Sequence, residues 1–97
     1  MFEFLKKLLG SKTAKQKEIG RVTHYFGGIG VAIVKFNKSV QVGANVNFHG
    51  TTTDFSQKID SMQYDHKEVQ EAPKNKEIGI KVKSRVREGD GVFESSS

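Results

Sequence analysis

The 97-residue sequence contains no cysteine. That excludes a disulfide framework and any zinc site built on thiolates. It fits a reducing compartment, and a cytoplasmic location is the expectation. No run approaches the ~20 apolar residues of a membrane span. No long apolar stretch leads into a small-residue cleavage site, so a secretory signal is not expected. There is no internal repeat. The length suits one small domain with one core and leaves no room for a second catalytic lobe. A hydrophobic fraction of 35% is low, but enough for a compact β domain.

A formal net charge of +5 looks like a nucleic-acid signature until it is located. Residues 1–17 carry Lys6, Lys7, Lys12, Lys15 and Lys17 against Glu3 alone, a balance of +4. Residues 18–97 carry 11 basic and 10 acidic groups, a balance of +1. The main body is thus nearly neutral and has no strong field for polyanions.

The opening stretch "MFEFLKKLLG" has helical periodicity. At helical spacing Phe2, Phe4, Leu5, Leu8 and Leu9 share an arc of roughly 160° with Met1, while Glu3, Lys6 and Lys7 take the other side. Gly10 is a natural stop. So short an amphipathic helix is unstable alone in water and needs a surface. A partner protein or, weakly and peripherally, an anionic membrane is the expected support. Residues 11–17 form a basic linker.

From Glu18 the period changes to two. Residues 18–26 and 31–36 are expected strands joined by the glycine turn "GGIG". "VAIVKF" is apolar on both faces, which places it centrally in a sheet. A connection over 37–44 is expected to hold Gly43 at positive φ. Residues 44–49 alternate cleanly. Residues 58–64 form a strand in which Ile59 and Met62 face the same way only if a bulge lies near Asp60 and Ser61. Residues 78–86 and 89–94 complete a set of six strands. Residues 95–97 are a frayed tail. The expected fold is all-β: a small six-stranded antiparallel barrel over residues 18–94.

The order of "GRV", "VGANVNFHG", "QKIDSMQYDHKEVQEA", "EIGIKVK" and "REGDGVF" is similar to the second, β-barrel domain of translational GTPases such as elongation factor Tu. It also resembles stand-alone translation elongation factor-like proteins. More distantly, it resembles the C-terminal barrel of U32-type peptidase-related proteins. The likeness covers about residues 18–94. It implies a translation-factor-type barrel and an association with RNA, ribosomes or a larger enzyme. The nucleotide-binding loop GxxxxGK[ST] is absent, and Asn45 stands where the family's turn carries Asp. GTP-driven elongation is therefore not implied.

Several side chains are candidates for binding. Lys81, Lys83, Arg85 and Arg87 alternate with inward apolar residues, and Lys76 precedes them. Such a stripe follows a phosphate backbone, or merely protects a sheet edge. Thr52, Thr53 and Asp54 belong to a hydrogen-bonding loop, with Asp54 suited to cap its own backbone or to form a recognition tip. Phe2, Phe4, Leu5, Leu8, Leu9, Lys6 and Lys7 form the candidate membrane or partner surface. Of the barrel aromatics, most are expected in the core, with Tyr25 and Tyr64 as candidates for base stacking. His24, His49 and His66 are 25 and 17 residues apart, which matches no metal-ligand pattern. No nucleophile triad or carboxylate pair is legible in the spacing.

The function expected from these residues is a non-catalytic, translation-associated binding module contacting RNA, the ribosome or a translation-related protein. A protein-interaction or membrane-peripheral adaptor, or an accessory subunit of an enzyme, is the alternative. No cofactor and no small-molecule substrate are expected.

Overall fold

Strand β1 (Glu18–Phe26) folds back through the turn at 27–30 onto β2 (Val31–Phe36), and this hairpin is the centre of the protein. The computed structural model describes residues 17–95, which are all strand, turn and loop. The expected helix and linker of residues 1–16 lie outside the described residues. The remaining strands are β3 (Val40–Gln41), β4 (Asn45–His49), β5 (Asp54–Lys58), β6 (Met62–Tyr64), β7 (Lys67–Val69), β8 (Glu71–Ala72), β9 (Glu77–Lys81) and β10 (Gly91–Glu94).

Eight strands form one sheet in the order β5-β4-β10-β1-β2-β9-β6-β7, and every neighbouring pair in that order runs antiparallel. β3 and β8 form a separate pair, with Val40 opposite Ala72 and both buried. The sheet curls over one apolar face. The architecture is a curled half-barrel of eight strands and corrects the expected six-stranded barrel, closed or nearly closed. Residues 49–55 hide the start of β5, and residues 58–64 split around Asp60 and Ser61 rather than forming one bulged strand. Both Ile59 and Met62 do point inward, as their spacing requires.

The concave face holds Val22, Val34, Phe36, Val46, Phe48, Ile59, Met62, Ile78, Ile80, Val86 and Val92, all essentially inaccessible. Each contributes about 1.5–3 kcal/mol by leaving water, offset by the entropy of ordering the chain. β1 keeps its inward set only through an irregularity. Val22 faces Val34, but His24 faces Ile33, so Thr23 is the extra residue of a bulge. Its hydroxyl donates to the Ile33 carbonyl at 3.3 Å. The bulge returns Tyr25 to the packed face and turns His24 and Phe26 outward.

Curling brings β5, the first strand of the order, against the chain leaving β9. The Gln57 amide spans that seam. Its nitrogen donates to the Lys81 carbonyl at 3.0 Å, and its oxygen accepts from the Lys83 N–H at 2.9 Å. One side chain thus supplies the two bonds that a closed barrel would make between backbones.

Candidate functional site

The outer face of the β1–β2–β9 region carries a broad, open concavity. β2 alternates Ala32, Val34 and Phe36 inward with Val31 and Ile33 outward. Because both sets are apolar, the strand leaves an apolar floor on its outer side. On β9, Gly79 pairs with Ile33, and its missing side chain keeps that floor open. A Cβ there would make ordinary contacts, 3.6–3.8 Å from Val31, Ile33 and the Gln63 carbonyl. The β1 bulge supplies one wall, His24 and Phe26. The hairpin tip adds Ile29, and the β6–β7 hairpin supplies the opposite wall through Gln63 of β6 and Asp65 and His66 of its turn.

The result is an open groove of about 870 Å³ with Glu77 and Asp65 as its carboxylates. Phe26 and Ile29 are 45% and 64% exposed, the two large apolar side chains left to solvent among the described residues. His24 Nδ1 lies 3.0 Å from Glu88 Oε2, and its ring lies 4.4 Å from that of Phe26. The groove therefore pairs an apolar floor with a rim of hydrogen-bonding and acidic groups.

The rim also carries backbone strain. Asp65 and His66 join β6 to β7 with φ of 56° and 64°. A two-residue loop with both centres left-handed is a type I′ turn, whose second position favours glycine. Left-handed backbone costs an L-residue with a bulky side chain about 1–2 kcal/mol. His66→Gly is expected to stabilise the domain by about 1 kcal/mol, part of the relief being lost to the freer unfolded chain. Thermal unfolding checks this through a rise of a few degrees; a lowered midpoint would show that His66 holds the turn by contacts of its own.

The binding residues expected from sequence fall in three places, and the structure does not bring them together at this groove. Lys76, Lys81, Lys83, Arg85 and Arg87 are exposed, and Val82 and Val86 are buried between them, as the alternation implies. Yet β9 ends at Lys81, so Lys83, Arg85 and Arg87 lie on irregular chain and not on one strand. Lys58, Lys81 and Lys83 edge a separate shallow cleft that also holds Asp60. Thr53 is only 5% exposed, which removes it from any recognition surface. Thr52 is exposed in the turn. Asp54 is an exposed residue of β5, and its carboxylate accepts from Asn47 Nδ2 at 3.5 Å. Phe2, Phe4, Leu5, Leu8, Leu9, Lys6 and Lys7 lie outside the described residues. Tyr25 and Tyr64 pack partly against the core, and Phe26 is an aromatic left to solvent, because the bulge at Thr23 turns it outward.

No family model matches the chain. At 32% identity, 93 residues align with an uncharacterized protease of Methanocaldococcus jannaschii, covering 94% of this chain and 23% of that protein. A collagenase of Porphyromonas gingivalis aligns at 31% identity over 87 residues, covering 87% of this chain and 24% of the collagenase. The chain thus spans about a quarter of the length of the curated relatives it matches. Among solved structures, the C-terminal domain of a Geobacillus thermoleovorans protein assigned as a U32 peptidase has the same fold. It superposes with a TM-score of 0.77 at 22% identity, over 82% of this chain and 93% of that domain. Its selenomethionine variant gives 0.76 at 22% identity, over 80% and 99%.

These findings correct the functional expectations. Relatives named protease and collagenase overturn the translation-associated module contacting RNA or the ribosome, and with it the expectation that the chain is a non-catalytic module and not an enzyme. The comparisons support the U32 side of the sequence resemblance and not the elongation-factor side. The physical reason lies in which residues carried it. "REGD" and the Ile59/Met62 spacing are turn and packing features, and such features specify a β fold without specifying what it serves. Among the described residues, no helix is long and apolar enough to cross a membrane.

Proposed function

We propose that this chain is a β-domain of the U32-peptidase type that serves proteolysis by holding polypeptide for a catalytic domain. One observation carries the reading: nearly the whole chain aligns with a single quarter of proteins named protease and collagenase. The same fold in the C-terminal domain of a U32-peptidase protein supports it. The outer groove suits the role. Val31 and Ile33 offer an apolar floor, and Gln63, Asp65 and Glu77 offer polar groups at its rim. Unfolded collagen is the first substrate to try, because one of the relatives is named a collagenase.

The test is titration of the isotope-labelled full chain with gelatin peptides, followed by amide shifts. Saturable shifts at Ile33, Gln63 and Gly79 are expected. Spectra unchanged to the highest attainable peptide concentration would contradict the reading.

A further inference from the structure

We propose that the outer groove is the docking site of this chain's own residues 1–10. The inference does not depend on the proteolytic role. The groove is an exposed apolar floor between Phe26, Ile29, Val31 and Ile33, with the carboxylates of Asp65 and Glu77 at its rim. "MFEFLKKLLG" is its chemical complement: Phe2, Phe4, Leu5, Leu8 and Leu9 on one helical arc, with Lys6 and Lys7 beside it. The segment thus carries Lys6 and Lys7 against Glu3 alone, a net positive charge, and the rim of the groove carries two carboxylates.

The chain length permits the match. Lys17 starts the described chain beside β10, where its carbonyl accepts from the Glu94 N–H at 3.0 Å. The groove begins at Thr23 and His24, farther along β1. Seven strand residues separate Lys17 from His24, about 23 Å. Seven residues also separate Gly10 from Lys17, and extended chain of that length spans at most about 25 Å. The linker is therefore just long enough to bring the apolar segment to the groove. A segment too short to be helical alone gains the surface it lacks, and tethering raises its effective concentration above that of a free partner.

The absence of cysteine makes the test direct. A nitroxide is attached to Glu3→Cys, on the polar side of the arc, in the full chain. Amides of Ile33, Gln63 and Gly79 are expected to lose most of their intensity, independently of protein concentration. Phe26→Ser with Ile29→Ser alters two exposed side chains and is expected to restore those intensities without unfolding the domain. Phe4→Asp with Leu8→Asp, made in the labelled segment, is expected to do the same. Undiminished groove amides in the labelled parent chain would overturn the proposal. So would broadening seen only between labelled and unlabelled molecules in a mixture, which would assign the groove to a second copy. Broadening of groove amides that persists in both double variants would likewise show that the apolar match does not seat the segment.

Discussion

Gly50→Ala is expected to lower the stability of this domain by about 2–4 kcal/mol, far more than an alanine normally costs in a turn. Gly50 sits in the β4–β5 connection, where its N–H donates to the Thr53 carbonyl at 2.8 Å. The space that a side chain would need is taken by the Asp90 carboxyl, which a Cβ at position 50 would overlap. Asp90 has little freedom to retreat. It is 5% exposed, and its Oδ2 accepts from the Arg87 N–H at 2.8 Å. Its backbone is held as well: the Asp90 carbonyl accepts from the Val22 N–H at 2.9 Å, and the Asp90 N–H donates to the Arg87 carbonyl at 3.0 Å. Overpacking alone costs about 1–3 kcal/mol, and a hydrogen bond to a charged group about 1.5–3. For a domain of this size the loss corresponds to a midpoint lower by about 10–20 °C. Gly28→Ala is the control, because a Cβ at position 28 would meet nothing within 4 Å. Equal midpoints for the two variants would mean that Asp90 moves aside.

Phe48→Ala is expected to cost about 3–5 kcal/mol, the range for emptying a buried aromatic site. Phe48 is fully buried on β4, opposite Val92 of β10 and Phe55 of β5. Its ring stacks on that of Phe55 with centroids 5.2 Å apart. β5 has few other apolar anchors, its pattern being exposed at Asp54, Ser56 and Lys58. Truncation therefore threatens the edge strand, and Gln57 with it. Urea unfolding measures the loss, and amide exchange locates it. Exchange in β5 is expected to accelerate more than exchange in β2. A loss under about 1 kcal/mol would show that the core collapses into the space left behind.

The strands legible in the sequence are those with strong inward alternation. β2 and β4 carry their core residues at period two, and β2's apolar character on both faces marks its place between β1 and β9. β1 is legible from its run of β-branched and aromatic residues, although the bulge breaks its alternation. Gly43 takes a φ of 100°, as its turn demands. β5 and β7 are not legible, because an edge strand buries few side chains and reads as loop. The two-residue pair β3–β8 depends on contacts between distant parts of the chain and has no local signature. The groove is half legible. Val31 and Ile33 show an apolar outer face, but the bulge that turns His24 and Phe26 onto it exists only in the pairing with β2. The basic residues stand out because charge is visible in a sequence, whereas a concavity is a product of three strands and a turn.

The proposal that this chain serves proteolysis as a domain of the U32-peptidase type has one most direct test. The most direct measurement exchanges domains in the Porphyromonas gingivalis collagenase, of which this chain matches 24%. Collagen cleavage is compared among the whole collagenase, a version lacking the matching segment, and a version in which this chain replaces it. Circular dichroism verifies that all three are folded. The account predicts that deletion lowers cleavage and that this chain restores a substantial part of it. A folded exchange protein no more active than the deletion would contradict it.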